Sequence, residues 1–349
     1  MNVLCRSTNC VGRWLTRKSL QWGHAATGPG IRRRRLPPLA HVVPYMQRGW
    51  SNRVRRRGQT AIRGARIPEA QIDGWRRLWR HSYRLGVGWL CRGWRFRWAG
   101  ARVGTCRLLV PMDPWRYWEL GRIIDEPFAG VNLDVSSPKL LPSLLRKEQR
   151  GTWIAIDLFS DEIANWRYVD PDLDLRVDDA RALSFGDASF DACLCVSVVE
   201  HIPGDGDIDA LREIWRVLRP GGVLHLTTMI SNAHRDKVID HKLYGDASTE
   251  VGGGVFYSRY YDDATLQTRL LSLPWEVNAF EEIRQINPSI ESTFYRLAPW
   301  SYAGGFALRW LCPTNFAKID RTAQLADDEF GVVYLKLRKP YVPSDSPSA

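Results

Sequence analysis

Five short apolar segments alternate with helical ones between residues 131 and 228, and this alternation restricts the chain to few folds. Strands are predicted at 131–135, 152–159, 173–177, 190–199 and 222–228. Before the fifth strand, Ile208, Leu211, Ile214 and Leu218 recur on one face of a helix. Strands joined by helices through short loops build a parallel sheet that is covered on both faces. The sequence therefore predicts an α/β, doubly wound sheet.

Two further strands, at 275–286 and 331–339, follow without a helical segment close between them. They are predicted to form an antiparallel pair at the edge of the sheet, which makes the expected sheet seven-stranded and mostly parallel. A helix is predicted at 142–149, because Pro142 fits the first helical position, where its missing N–H has no partner to lose.

The first 110 residues differ from the rest of the chain in charge. They hold 24 arginines and lysines against two acids, a balance of +22, whereas the remainder carries −11. Glycine and proline interrupt any helical period before about residue 68, and one basic amphipathic helix is predicted within 75–99. We interpret 1–105 as a basic, arginine- and tryptophan-rich extension, largely disordered or partly helical. Residues 106–340 are the predicted folded domain, and 341–349 a disordered tail.

The basic extension has four interpretations. It could bind nucleic acid through phosphate neutralisation and base stacking, lie on an anionic membrane surface, or direct the protein to an organelle. The fourth, which we favour, is that it has no selected fold. A bias towards Arg, Trp, Gly, Ala and Pro is what GC-rich DNA gives when it is translated upstream of the true start.

Cysteine usage and hydropathy limit the compartment. The seven cysteines are scattered and form no C-x-x-C pair, which argues against a disulfide framework or a metal site and favours a reducing environment. No uncharged apolar run approaches the ~18 residues that a membrane span needs, and the N-terminus lacks the apolar segment of a signal peptide. We expect a cytoplasmic protein.

Polar residues follow the predicted strands at the place where a ligand would lie. In an open parallel sheet this is the crevice beyond the carboxyl ends of the strands. Asp134, Asp157 and the pair 178–179 end the first three strands, and the segment 197–201 follows the fourth. A carboxylate after the second strand can accept from both hydroxyls of a ribose. An acid after the third can accept from the exocyclic amine of adenine, so the pattern favours an adenosine-type cofactor.

Two stretches, "VDDARALSFGDASFDACLCVSVVEHI" (177–202) and "ALREIWRVLRPGGVLHLTT" (210–228), resemble the class I S-adenosylmethionine-dependent methyltransferases, closest to the small-molecule branch. They contain the acid-Ala pair of that family, the Phe-Asp that opens its fourth strand, the Glu-His that closes it and the Pro-Gly-Gly turn. The resemblance implies a Rossmann-like fold and S-adenosyl-L-methionine as cofactor. It also implies a ribose ligand, an adenine contact and the acid of the first motif, which are Asp157, Asp179 with Ala180, and Asp134.

The turn after the first strand departs from this family. The family usually has Asp-x-Gly-x-Gly-x-Gly, whereas this chain reads Asp134-Val-Ser-Ser-Pro-Lys-Leu. S-adenosylmethionine has no phosphate there, so glycines that let the backbone approach a pyrophosphate are not required. We predict that Ser136, Ser137 and the amide or ammonium of Lys139 hold the cofactor's carboxylate and that Asp134 holds its ammonium. Ser197 completes the predicted cofactor contacts. A lost cofactor site is the alternative interpretation of this turn.

Glu200 and His201 are the predicted catalytic pair. A histidine titrates near neutral pH and can take a proton from an attacking hydroxyl or amine, and Glu200 is expected to orient its ring. Tyr257 is interpreted equally as a pocket residue or as packing. We expect methyl transfer to an oxygen or nitrogen of a small molecule, sugar or lipid-linked intermediate. The alternatives are a catalytically silent methyltransferase-fold binding protein and a nucleic-acid-directed methyltransferase that uses the basic extension.

Overall fold

The computed structural model describes residues 74–109, 112–240, 249–296, 311–320, 322 and 325–341. Its helices are Trp75–Arg92 (α1), Ala101–Leu109 (α2), Arg116–Ile123 (α3), Leu140–Lys147 (α4), Ser160–Val169 (α5), Gly206–Val217 (α6), Asp263–Thr265 (α7) and Pro288–Arg296 (α8). Its strands are Val131–Val135 (β1), Thr152–Asp157 (β2), Asp174–Val177 (β3), Phe190–Val196 (β4), Leu218–Ile230 (β5), Arg235–Ile239 (β6), Glu250–Val251 (β7), Gly254–Tyr260 (β8), Glu276–Gln285 (β9), Phe316–Ile319 (β10) and Gly331–Arg338 (β11). The predicted disorder of 1–73 and 342–349 lies outside the described residues.

The main sheet has eight strands in the order β10-β9-β11-β5-β4-β1-β2-β3. The five strands from β5 to β3 are parallel to one another. Strand β11 is antiparallel to β5, β9 is antiparallel to β11, and β10 is antiparallel to β9. The carboxyl ends of β1, β2 and β4 therefore meet at one edge of the sheet, and the strand order reverses direction from β1, which is where such sheets bind ligands.

The predicted fold class is confirmed, with three differences in detail. The sheet has eight strands because the short β10 pairs with β9, so the antiparallel pair β9–β11 is not itself the edge. Helix α4 begins at Leu140, which places Pro142 within the first turn, where backbone N–H groups have no intrahelical partner. Strand β5 begins at Leu218, so the Pro-Gly-Gly turn is an irregularity inside the strand, with Gly221 at φ +82°.

Hydrophobic cores cover both faces of the sheet. Successive side chains of a strand point to opposite faces. Leu133 and Val135 of β1 therefore pack in one core together with Leu211 of α6. The other core contains Trp153 of β2 and Leu144 of α4. Burial on both faces explains why the central strands contain almost continuous apolar sequence.

Helix α1 belongs to the second of these cores. Trp75, Leu78 and Trp89 are buried in it, and their spacing confirms the predicted amphipathic helix. A Cβ at Gly104 of α2 would lie 2.1 Å from the Trp89 ring, so α1 and α2 approach as closely as a glycine allows. Helix α1 and the start of α2, which the sequence analysis placed in the extension at 1–105, therefore pack in this core. Of the described helices, none has both the length and the apolarity to cross a bilayer.

A small antiparallel sheet, β6-β8-β7, lies beside the main one and was not predicted. A parallel bridge from Ile230 to Tyr261 joins it to the end of β5. The carboxylate of Asp207 at the start of α6 accepts from the Tyr261 hydroxyl at 2.8 Å and pairs with Arg259 at 2.9 Å. These bonds fix the small sheet next to the turn that follows β4.

Candidate cofactor and acceptor site

Asp134 and Asp157 lie side by side at the carboxyl ends of two neighbouring strands. Asp134 of β1 is in register with Ala155 of β2, and Asp157 lies two residues after Ala155 on the same strand. Alternate residues of a strand point to the same face, so both carboxylates lie on the same face of the sheet. Both are buried. The sequence analysis placed these two acids at one ligand site, and the strand register brings them together.

The ammonium of Lys139 forms an ion pair with Asp157. Its Nζ lies 2.7 Å from Asp157 Oδ2 and 3.3 Å from the Ser137 carbonyl oxygen, and Lys139 and Asp157 are each 2% exposed. The other carboxylate oxygen accepts from the Phe159 amide at 3.0 Å. Burial alone would lower the pKa of Lys139, but Asp157 and Asp134 raise it above its usual value, so the lysine is charged.

Asp134 is a buried carboxylate that lacks a well-placed donor. Neither of its oxygens has a donor in hydrogen-bonding geometry among the described residues. Burial raises the pKa of Asp134 to about 7, against the opposing influence of the Lys139 ammonium and the nearby Ser137 hydroxyl. An unsatisfied buried carboxylate destabilises a protein unless something else supplies donors. A ligand ammonium would supply them, and this fits the amino-acid head of S-adenosylmethionine.

The turn after β1 contains no glycine, but its backbone adopts a conformation that favours glycine. Ser136, at the first glycine position of the family pattern, has φ +54°, in the left-handed region that a Cβ disfavours. The Ser137 hydroxyl accepts from the Val196 amide at 2.7 Å and so ties the turn to the end of β4. The Ser137 hydroxyl, which was predicted to hold the cofactor's carboxylate, is therefore already hydrogen-bonded within the protein.

Ser197 is also bonded within the protein. It has φ +49°, and its hydroxyl donates to Glu119 Oε1 at 2.6 Å. The Thr227 hydroxyl donates to the same oxygen at 2.7 Å, and Arg116 donates to the second oxygen at 2.6 Å. Glu119 of α3 thus fixes the ends of β4 and β5. Sequence reasoning missed it, because Glu119 precedes the first strand by a whole loop and carries no positional signal.

The predicted adenine contacts lie at the end of β3. Asp179 is partly exposed and forms an ion pair with Arg181 at 2.6 Å, and the hydrogen bond from Arg181 lowers its pKa. Asp178 accepts from the amide and hydroxyl of Ser184 at 3.1 and 2.9 Å. Ala180 is buried beside them. Asp178 therefore shapes the loop, whereas the Asp179 carboxylate faces a surface arginine that an adenine amine would have to displace.

Glu200 and His201 follow β4 in a 3-10 turn, Val199–His201. Glu200 is buried and accepts from the Thr228 hydroxyl at 3.0 Å, and burial raises its pKa to about 7. His201 Nδ1 lies 2.8 Å from the backbone oxygen of Tyr257. The Tyr257 carbonyl thus orients the imidazole at Nδ1, a role that the sequence analysis assigned to Glu200.

The Tyr257 carbonyl also fixes the tautomer of His201. A carbonyl can only accept, so Nδ1 carries the hydrogen and Nε2 the lone pair of the neutral ring. The register of β8 skips Tyr257, since Ser258 and Phe256 pair with successive residues of β6. Such β-bulges redirect a residue out of the ladder. The Tyr257 ring contacts the imidazole edge-on at 5.5 Å and has the Lys237 ammonium 5.1 Å from its centroid.

Comparisons with known proteins find similarity to methyltransferases. Residues 133–226 match the family described as a methyltransferase domain. An uncharacterized methyltransferase-like protein of Schizosaccharomyces pombe is 29% identical over 104 residues, which are 30% of this chain and 39% of that protein. These matches support a class I S-adenosylmethionine-dependent methyltransferase domain in this part of the chain. The chain matches well under half of the length of this curated relative.

Solved methyltransferase structures resemble the chain at low identity. One from Methanosarcina mazei is 15% identical, covers 62% of this chain and 95% of its own, and has a TM-score of 0.40. A didemethyltoxoflavin N1-methyltransferase of Burkholderia thailandensis, with S-adenosylhomocysteine bound, is 15% identical, covers 61% and 72%, and has a TM-score of 0.37. A Haemonchus contortus phosphoethanolamine-type N-methyltransferase is 16% identical, covers 73% and 58%, and has a TM-score of 0.42.

Proposed function

We propose that this methyltransferase transfers a methyl group from S-adenosyl-L-methionine to an oxygen or nitrogen of a small molecule, sugar or lipid-linked intermediate. One observation carries the proposal most. Asp134 and Asp157 lie side by side at the carboxyl edge of the parallel strands, buried and on one face. That edge is where open parallel sheets bind their ligands.

The residues at this edge match the parts of the cofactor. Asp157 would accept from the ribose hydroxyls, and Asp134, whose oxygens lack donors, would accept from the ammonium of the amino-acid head. Asp179 and Ala180 would border the adenine. The Ser137 hydroxyl is bonded to Val196, and the Ser197 hydroxyl is bonded to Glu119. These two serines, and Ser136 with them, would therefore act through the turns that they shape.

The acceptor side is formed by the 3-10 turn after β4 and the small sheet. The cofactor, when bound, supplies a methyl group on a sulfonium, whose displacement depends mainly on alignment. His201 is the group that would take the proton from an attacking hydroxyl or amine, since the Tyr257 carbonyl leaves the lone pair at Nε2. Glu200, buried against Thr228, supports the turn and is a positioning residue in this account.

A catalytically silent binding protein is the second candidate. It is favoured by the ion pair between Lys139 and Asp157, which already occupies the acid that should receive the ribose. A nucleic-acid-directed enzyme would depend on the basic residues before position 74, which lie outside the described part of the chain. A silent binding protein requires no base at the acceptor side.

Labelled methyl transfer separates these functions. The full chain would be incubated with methyl-labelled S-adenosylmethionine and, in turn, small-molecule, lipid, RNA and protein fractions of cell extract. The proposal predicts label in the small-molecule or lipid fraction that disappears with His201→Asn. Label in RNA would favour the nucleic-acid-directed enzyme. Binding of the cofactor without transfer to any fraction would establish the silent protein and overturn the proposal.

A further inference from the structure

The least expected feature of the site is a buried lysine bonded to the acid that should bind the ribose. Lys139 and Asp157 are 2.7 Å apart and 2% exposed, in a turn that contains no glycine. A buried ion pair is a poor way to gain stability, because both charges lose hydration, and similar stability is reached with apolar side chains. Stability alone therefore does not explain a buried ion pair at a ligand edge, which points to a functional role.

The charges around the site suggest what that function is. Asp134, Asp157 and Lys139 carry a net charge of −1 when both acids are ionised. S-adenosylmethionine carries an ammonium, a sulfonium and one carboxylate, a net +1. Its two cationic groups are attracted to the acids. Its carboxylate, however, would be repelled by the buried carboxylates at this edge unless a cation lies there. Lys139 is a buried cation at this edge, bonded to Asp157 and close enough to Asp134 that both acids raise its pKa.

The hydrogen bonds of Lys139 leave room for this carboxylate. Within the described residues its ammonium donates to Asp157 Oδ2 and to the Ser137 carbonyl, so two of its three N–H groups are used. A ribose diol that donates to Asp157 would weaken the first of these bonds. The ammonium would then need another anion, because an unpaired buried charge is strongly unfavourable.

We propose that Lys139 exchanges partners when the cofactor binds: it moves from Asp157 to the carboxylate of S-adenosylmethionine as the ribose takes its place on Asp157. This proposal rests on the proposed function, since it concerns the same cofactor. In the empty protein Lys139 is the counter-ion that offsets the unfavourable burial of two carboxylates. In the loaded protein Lys139, which lies where the family has its glycine-rich turn, selects for a ligand with a carboxylate.

Two ligands test the exchange. S-adenosylmethionine and its decarboxylated form differ only in the carboxylate, and calorimetric titration of the full chain with each gives a preference ratio. The wild type should prefer S-adenosylmethionine roughly tenfold to hundredfold, the usual worth of a hydrogen bond between charged groups. Lys139→Met/Asp157→Asn, which removes both charges of the pair together, should show no preference.

Matched variants separate the causes. Asp157→Asn alone should bind both ligands more weakly but keep the preference. Lys147→Met, at the exposed end of the helix that follows Lys139, should behave as the wild type. Lys139→Met alone should melt below Lys139→Met/Asp157→Asn, because it leaves an acid unpaired. A preference unchanged in Lys139→Met/Asp157→Asn, or absent in the wild type, would overturn the exchange. Failure of the wild type to bind either ligand would instead refute the proposed function.

Discussion

His81 of α1 and Ser143 of α4 are joined by a buried hydrogen bond of 2.7 Å, and the Ser143 hydroxyl in turn donates to Asp170. Since that hydroxyl has only one hydrogen, His81 Nε2 must be the donor to it. Burial lowers the pKa of His81 to about 3, so the ring is neutral at physiological pH. The histidine therefore links α1 to the helices beside β2 through a polar chain inside the core.

Truncation before α1 and truncation after it should differ sharply. Removing residues 1–105 exposes the surfaces that bury Trp75, Leu78 and Trp89, each worth about 1.5–3 kcal/mol. This loss is comparable with the total stability of a typical domain. In thermal unfolding, a chain of residues 74–349 should melt close to the full chain, whereas 106–349 should be insoluble or melt more than about 10 °C lower. Equal melting of the two truncations would show that α1 is not part of the domain.

Much of the fold could be predicted from the sequence, because the parallel strands carry two strong signals. Their apolar runs predict burial on both faces, and the acids that end them mark the ligand edge. The small sheet gave no such signal: β6, "RDKVI", has mostly exposed residues and no alternation. Helix α1 was predicted as a basic amphipathic helix of the extension, and its apolar spacing did not reveal that Trp75 and Trp89 pack in the core of the domain.

The pairings in the site were less predictable than the site's position. Lys139 was recognised as a possible carboxylate ligand, but its bond to Asp157 spans 18 residues of sequence and arises only when β1 and β2 pair. The bonds to Glu119 join residues 78 and 108 positions apart. Tyr257 orients His201 through a backbone oxygen, which any residue type possesses, so no side-chain pattern could reveal it.

Replacement of His201 should separate catalysis from structure. In His201→Asn, the amide nitrogen can still donate to the Tyr257 carbonyl, but no base remains. Methyl transfer should fall about 10²–10⁴-fold, the usual contribution of a general base. The affinity for S-adenosylmethionine, measured by calorimetry, and the melting temperature should stay within error of the wild type. Full transfer activity in this variant would remove His201 from the catalytic residues, as would a simultaneous loss of folding and activity.

Cofactor binding should depend on pH through Asp134. Its pKa of about 7 in the free protein would fall when the cofactor's ammonium lies beside it, so the cofactor binds better to the ionised acid. Affinity should therefore rise with pH, by at most about tenfold per unit, and level off above about pH 7. Titrations between about pH 5.5 and 7.5 measure this. In Asp134→Asn the rise should vanish; a rise that persists in this variant would assign the dependence to another group, such as Glu200.

The most direct test of the central claim is calorimetric titration of the full chain with S-adenosylmethionine, repeated with Asp157→Asn and with Asp161→Asn as the control. Asp161 is an exposed acid in the first turn of the helix that follows β2. We predict one binding site, an affinity roughly tenfold to hundredfold weaker in Asp157→Asn, and no change in Asp161→Asn. No binding by the wild type, or equal binding by Asp157→Asn while it remains folded, would contradict the placement of the cofactor at the carboxyl edge of β1 and β2.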